Sequence, residues 1–290
     1  MTNQWRDLKN SDAVLVCGAN PAENHPASMA HINKARDERG AKLIVVDPRF
    51  TRTASTAEVY APIRSGSDIA FWGGLMSYVL ENNLYHEEYV VNYTNASFLI
   101  DEGFQGPADL DGFFSGFDAE KRSYDTSTWA YQTDEDGNRL RDETLQDPNC
   151  VFQLLKKQYA RYTIDMVEKV CGMLRDQFLE VAQAFAATGA PEKTGTILYA
   201  MGQTQHTVGT QNVRCMAMLQ LLLGNTGRPG GGVNALRGES NVQGSTDMAL
   251  LYHIIPAYMA TPSAANHKDL AEYLEKQTPS GGYWVNTPKF

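Results

Sequence analysis

The chain has 290 residues, of which 42% are hydrophobic and 20% are charged. This composition is typical of a soluble globular protein, and the length suits one large domain or two ordinary ones. The formal net charge of −9 argues against a nucleic-acid coat and against a surface for anionic membranes, because both require a basic face. A local basic pocket for a phosphorylated cofactor remains compatible with this charge.

The four cysteines are scattered, and no CxxC motif or Cys/His cluster appears. The spacing therefore predicts no protein metal ligand, neither for zinc nor for an iron–sulfur cluster, and we expect buried free thiols. No apolar run approaches the roughly 20 residues of a membrane span, so no span is expected in this chain. The first residues lack the layout of a signal peptide, which predicts a cytoplasmic location if Met1 is the true start.

The first part of the chain predicts alternating strands and helices. Apolar runs predict strands at 13–18, 42–46 and 58–63, and amphipathic patterns predict helices at 27–39 and 69–81. This order predicts an α/β fold that resembles a dinucleotide-binding domain, with a parallel sheet and helices on both faces.

A polar stretch at about 101–149 predicts a surface insertion, with a hairpin at Trp129–Arg139. Its aromatic residues argue against complete disorder. Beyond it the pattern returns to helices, a strand at 194–200 and a glycine-rich turn at 227–232. We expect one domain over residues 1–238 and the incomplete start of another over residues 239–290.

Two loops follow the first two predicted strands and meet at the carboxyl edge of a parallel sheet, where α/β proteins bind ligands. The first loop contains Gly18 and Asn20, whose backbone could approach a phosphate. In the second loop, Asp47 could receive a ribose hydroxyl or a purine, and Arg49 could face a phosphate. The structural alternatives are a plain strand–helix turn and a surface ion pair.

Gly66 and Asp68 lie at the start of the predicted helix 69–81. The spacing alone favours a structural role for Asp68 as an acid in the first helical turn. The functional alternative is that its two oxygens accept from N1–H and N2–H₂ of guanine, a donor pair that adenine lacks.

Two later loops carry further polar groups. Met201, Gly202, Gln205 and His206 follow the strand at 194–200, and buried amides there would need partners. Arg237, between glycine-rich turns and before Asn241-x-Gln243-Gly244, could orient a small anion by a bidentate contact. The alternatives are a structural histidine and a solvated arginine. The absence of GxGxxG argues against a simple NAD-dependent dehydrogenase.

Five segments together resemble the catalytic (alpha) subunits of formate dehydrogenases in the molybdopterin oxidoreductase family, and the similarity runs almost end to end. They are Gly18–Pro26 (GANPAENHP), Val46–Ala54 (VDPRFTRTA), Tyr60–Ala70 (YAPIRSGSDIA), Tyr199–His206 (YAMGQTQH) and Gly230–Gly238 (GGGVNALRG).

The resemblance implies two molybdopterin guanine dinucleotides around molybdenum or tungsten. It implies that Met201, Gly202 and Gln205 line the pterin side, with His206 behind them, and that Arg237 near the metal holds the carboxylate of formate. The residues that it assigns to a guanine-dinucleotide tail are Gly18, Asn20, Glu23, Asp47, Arg49, Gly66 and Asp68.

The chain also departs from this family. The metal ligand of the family is a selenocysteine or cysteine followed by histidine, and an N-terminal segment holds a 4Fe-4S cluster; neither pattern occurs here. We hypothesise that the chain is a fragment of a larger enzyme, read from an internal Met downstream of a UGA codon. Sequencing upstream of Met1 tests this, and the isolated fragment is expected to be inactive.

In the whole enzyme, the resemblance implies oxidation of formate to CO₂ with release of a proton and two electrons. It further implies an iron–sulfur beta subunit, a cytochrome subunit as a further candidate, and a periplasmic location. Two alternatives remain open: another molybdopterin oxidoreductase, such as a nitrate-reductase-like enzyme, and a non-catalytic nucleotide-binding module.

Overall fold

The chain forms two compact units, Met1–Leu236 and Arg237–Phe290, in the computed structural model. No helix in the described part of the chain is long and apolar enough to cross a membrane. The residues that the structure describes are 2–239, 242–248, 250, 254–255 and 259–277.

The regular elements alternate along the first unit and become short in the second. The strands are β1 (Ala13–Cys17), β2 (Lys42–Val46), β3 (Val59–Ala61), β4 (Phe117–Asp118), β5 (Ser123–Tyr124), β6 (Gly195–Tyr199), β7 (Gly232–Ala235), β8 (Ile254–Ile255) and β9 (Met259–Ala260). The helices are α1 (Pro21–Asn24), α2 (Ser28–Arg39), α3 (Asp68–Glu81), α4 (Glu87–Tyr93), α5 (Val151–Tyr159), α6 (Ile164–Cys171), α7 (Arg175–Ala186), α8 (Met201–Thr204), α9 (Gly209–Leu222), α10 (Val242–Asp247) and α11 (Leu270–Gln277).

The first unit is built on a five-stranded sheet in the order β3-β2-β1-β6-β7, and every pairing in it is parallel. Alternate residues of β1 enter two separate hydrophobic cores, because successive side chains of a strand point to opposite faces. Leu15 packs in the larger core with α3, α7 and α9. Val14 and Val16 pack in the smaller core with Ile32 of α2 and Leu8. The predicted α/β fold, with helices on both faces, is confirmed.

The predicted surface insertion consists mainly of turns and short bridges and is mostly exposed. Antiparallel bridges join Leu99 to Cys150 and Thr133 to Arg139. The second bridge closes the predicted hairpin, with Gly137 in the left-handed region at φ +82°. Aromatic rings that include Phe114 and Trp129, 5.9 Å apart between centroids, form a cluster in the insertion.

Two local predictions were incomplete. Residues 1–12, where the sequence pattern predicted no helix or strand, contain a 3₁₀ turn at Trp5–Asn10 that buries Leu8. The sequence pattern also gave no helix at α4, which has seven residues and only two fully buried side chains, Val90 and Val91. An apolar stripe that short is hard to tell from a loop by periodicity.

Candidate functional site

Two loops at the carboxyl edge of the sheet touch each other through their glycines. Cys17 pairs with Tyr199 in the sheet, so the chain leaves β1 and β6 at the same level. Gly202 N donates to the carbonyl of Gly18 at 3.1 Å. A Cβ on Gly202 would lie 2.6 Å from the Cα of Gly18, and Gly18 itself has φ +57°. The close approach of the two loops therefore requires glycine on both sides.

Asn20 ties the first loop to the connection between β2 and β3. Its Oδ1 accepts from the backbone N of Thr53 at 3.2 Å and from the Thr53 hydroxyl at 2.8 Å. Its Nδ2 donates to Glu23, which is exposed. Because both ends of this amide are bonded within the protein, the Asn20 side chain shapes the loop.

Asp47 begins the second loop and is 8% exposed. Its Oδ1 accepts from the backbone N of Arg49 at 2.9 Å, and its carbonyl accepts from the Tyr60 hydroxyl at 3.1 Å. Burial raises the pKa of the Asp47 carboxyl and the charge of Asp68 adds to this, although Arg49 opposes it. The Arg49 side chain is exposed and forms no ion pair with Asp47 in the described part of the chain.

This raised pKa predicts a pH-dependent gain in stability for Asp47→Asn. In the unfolded chain, the Asp47 carboxyl titrates near 3.8. As pH falls from the raised pKa of the folded state toward 3.8, the folded state therefore binds a proton before the unfolded state does. The carboxylate therefore destabilises the fold above the raised pKa, and the penalty disappears below 3.8. We expect Asp47→Asn to increase the free energy of unfolding at neutral pH and to leave it unchanged in acid.

Asp142→Asn is a control of opposite sign for the urea titrations that measure this. Hydrogen bonds, first from the Thr144 hydroxyl, lower the pKa of Asp142 to about 2. The Asp142 carboxylate therefore stabilises the fold above pH 3.8, and this stabilisation is lost as pH falls toward 2. A lower stability of Asp47→Asn at neutral pH would contradict the prediction.

Asp68 is the first residue of α3 and lies at the centre of a buried polar chain. Its Oδ1 accepts from Gln203 Nε2 at 2.6 Å, and Gln203 Oε1 accepts from Trp72 Nε1 at 3.1 Å. Its Oδ2 lies 3.8 Å from His206 Nε2. The sequence predicted Asp68 either as an acid in the first helical turn or as a ligand carboxylate. In the structure, its side chain bonds to the loop after β6.

Gln203 was not among the predicted site residues, although it makes the contact to Asp68. The predicted residues of this loop are exposed: Gly202, Gln205 and Met201, which is 51% exposed. Gln203, in contrast, is only 3% exposed. The short helix α8 turns Gln203 toward the protein interior and leaves Met201 and Gln205 on the exposed side. A Gln-Thr-Gln-His run signals that an amide is buried, but not which one.

Gly66 forms an open turn in front of α3. It has φ +84°, and a Cβ built there would meet no atom within 4 Å. The backbone is therefore accessible beside Asp68, as close approach of a ligand would require.

In the described residues, no group of three His, Cys, Asp or Glu side chains could hold a metal ion, and this includes the four cysteines. All four are free and buried, as predicted. Burial, with Asp68 and Asp47 nearby, raises the pKa of the Cys17 thiol. A protonated, buried thiol is a poor nucleophile and a poor metal ligand.

Arg237 is exposed and is the first residue of the second unit, two positions after the end of β7. The structure describes it within that unit. Asn241 of the neighbouring predicted motif lies outside the described residues.

A family model described as molybdopterin oxidoreductase matches residues 1–288. The chain belongs to the molybdopterin oxidoreductase family. Membership implies a molybdopterin cofactor.

Among the similar proteins is the "Formate dehydrogenase subunit alpha" of Megalodesulfovibrio gigas, which is 55% identical over 100% of this chain and 29% of its own length. The "Formate dehydrogenase, nitrate-inducible, major subunit" of Escherichia coli is 54% identical over 100% of this chain and 29% of its own length. The chain thus spans about 29% of these relatives. Among solved structures, acetylene hydratase from Pelobacter acetylenicus has a TM-score of 0.47 and 19% identity, covering 76% of this chain and 22% of that one.

Proposed function

We propose that this chain binds the guanine dinucleotide end of a molybdopterin cofactor at the carboxyl edge of its sheet. The observation that carries the proposal is the Asp68 carboxylate, 5% exposed and held in one orientation by Gln203. A carboxylate offers only acceptors, and the Watson–Crick edge of guanine offers two adjacent donors.

The donor and acceptor groups around Asp68 fit the rest of a nucleotide. Asp47 supplies a second acid at a strand end, a position suited to a ribose hydroxyl. The Arg49 guanidinium is exposed and suited to a phosphate. Gly18 and Gly66 leave backbone close to the surface. Asn20 and Glu23, which the resemblance assigns to the dinucleotide tail, are proposed to serve it by shaping the first loop. Met201, Gly202 and Gln205 are proposed to line the pterin side.

For the whole protein we propose formate dehydrogenase activity, in which formate gives CO₂, a proton and two electrons. The names of several similar proteins support this. When bound, a bis-molybdopterin guanine dinucleotide with molybdenum or tungsten supplies the two-electron redox chemistry. Arg237 is proposed to hold the formate carboxylate by its guanidinium fork.

The remaining parts of the proposal concern the longer protein. They are a 4Fe-4S cluster and a selenocysteine or cysteine metal ligand outside this chain, an iron–sulfur beta subunit and a cytochrome partner, and a periplasmic location. One relative is named "Formate dehydrogenase 2 subunit alpha (cytochrome c-553)", which supports a cytochrome partner. We expect the 290-residue chain alone not to oxidise formate, and robust oxidation by it would contradict the assignment.

Calorimetric titration with GDP, ADP and XDP tests the guanine assignment. We expect the unsubstituted chain to prefer GDP, and Asp68→Asn to weaken GDP binding by about 10- to 100-fold, since hydrogen bonds to charged groups contribute about 1.5–3 kcal/mol. The amide of Asn also offers one donor. Asp68→Asn should therefore favour XDP, whose xanthine carries an acceptor where guanine carries an amino group.

Asp12→Asn is the matched control. Asp12 precedes β1, at the opposite edge of the sheet, and its carboxylate accepts from Arg39 and from the backbone of Thr194. This substitution should alter stability without changing the preference for GDP. Equal binding of GDP and ADP by the unsubstituted chain would reject the guanine site and favour a module of another kind.

A further inference from the structure

The Gln203 side chain is a buried amide whose orientation is fixed by chemistry. The indole N–H of Trp72 can only donate, so the acceptor 3.1 Å from it must be the Gln203 oxygen. The amide nitrogen of Gln203 then points to Asp68 Oδ1 at 2.6 Å and must donate to it. Rotating the amide would place two donors together at Trp72 and two acceptors together at Asp68.

The backbone of Gln203 is fixed as well. Its carbonyl accepts from Asn212 Nδ2 at 3.2 Å, and Asn212 is fully buried in α9. The preceding residue, Gly202, is bonded to Gly18. Gln203 is therefore held from three sides and transmits a fixed geometry to Asp68.

This arrangement decides what Asp68 presents to a ligand. Oδ1 already accepts from Gln203, and Oδ2 lies 3.8 Å from His206, which is beyond hydrogen-bonding distance. A carboxylate has about four acceptor positions, so acceptors on both oxygens remain for a ligand.

We propose that Gln203 is a specificity-determining positioning residue: it makes Asp68 a rigid pair of acceptors that selects guanine over adenine. This inference rests on the proposed guanine site. Gln203 acts through Asp68 and does not itself touch the base. Trp72 contributes to the same role, because its indole N–H fixes the orientation of the Gln203 amide.

Gln203→Glu tests this role with little change in shape. The new carboxylate still accepts from Trp72, but its other oxygen faces Asp68 without a proton to donate. Two carboxylates at this distance share a proton, so Asp68 no longer presents fixed acceptors. We expect the ratio of GDP to ADP affinity, measured by calorimetry on the 290-residue chain, to fall by roughly tenfold. GDP affinity should also become dependent on pH, which loss of packing alone would not produce.

Gln220→Glu is the matched control. Gln220 is also a fully buried amide, and its Nε2 donates to the carbonyls of Gly195 at 2.9 Å and Gly232 at 2.8 Å, at the amino ends of β6 and β7. This substitution should destabilise the fold without changing the preference for GDP or its pH profile. Trp72→Phe is a second test that retains an apolar ring: it frees the Gln203 amide to rotate, and we expect a partial loss of preference.

The possible results distinguish the role of Gln203 from the existence of the guanine site. A preference for GDP that survives Gln203→Glu and Trp72→Phe within about twofold, a difference below about 0.5 kcal/mol, overturns the role of Gln203 alone. Equal binding of GDP and ADP by the unsubstituted chain overturns the proposed guanine site, and this inference with it.

Discussion

Gly202→Ala is expected to destabilise the chain by about 3 kcal/mol, because overpacking against backbone cannot be relieved by a rotamer change. The added Cβ would lie 2.6 Å from the Cα of Gly18 and 2.8 Å from its carbonyl oxygen. Gly202 does not occupy the left-handed region, so the loss would come from the clash and not from backbone strain. Urea denaturation measures it directly.

Gly106→Ala and Gly40→Ala separate the causes. A Cβ at either position would meet no atom within 4 Å. Gly106 is not left-handed and should change stability by less than about 0.5 kcal/mol. Gly40, at φ +67°, should show the cost of strain alone, about 1 kcal/mol. A Gly202→Ala chain as stable as Gly106→Ala would show that the two loops are not in contact in solution.

If the whole protein has the proposed formate dehydrogenase activity, Arg237→Leu is expected to lower its kcat/KM for formate by about a thousandfold, which matches the loss of a bidentate contact to a desolvated carboxylate. Arg237→Lys keeps the charge without the fork and should retain more activity, with the loss expressed mainly in KM. Steady-state kinetics with formate measure both variants.

Arg36→Leu is the control for the loss of a guanidinium elsewhere. Arg36 is bonded to Glu58 at the surface of the first unit, and surface ion pairs contribute little. Its kinetics should match those of the unsubstituted protein. If Arg237→Leu retained kcat/KM within about threefold, less than about 0.7 kcal/mol in transition-state stabilisation, Arg237 would have no contact with formate.

The fold could be predicted from the sequence because its signals are local. Runs such as 42–46 are short and apolar, as strands buried on both faces must be, and the helix predicted at 69–81 differs from α3 by one residue. Gly40 ends α2 in the left-handed conformation, as expected for a helix C-terminus.

The site was harder to predict because its decisive contacts join distant parts of the chain. Asp68 and Gln203 are 135 positions apart, and neither the amide partner of Asp68 nor the contact of Gly18 with Gly202 follows from spacing. The sequence indicated that polar groups gather at one edge, since every parallel strand ends there. Which of them are bonded within the protein, as Asn20 is, and which stay accessible, as Arg49 does, depends on tertiary packing.

The insertion within the first unit begins and ends at neighbouring positions. Val151 N donates to the carbonyl of Phe98 at 3.0 Å, and Leu99 bridges Cys150. Backbone hydrogen bonds therefore hold its two ends side by side. Leu145 of the insertion is buried in the larger core, so a short linker between these ends would keep the path of the chain but open part of that core. A reporter domain could therefore replace the exposed part of the insertion without re-routing the chain, provided that Leu145 is retained.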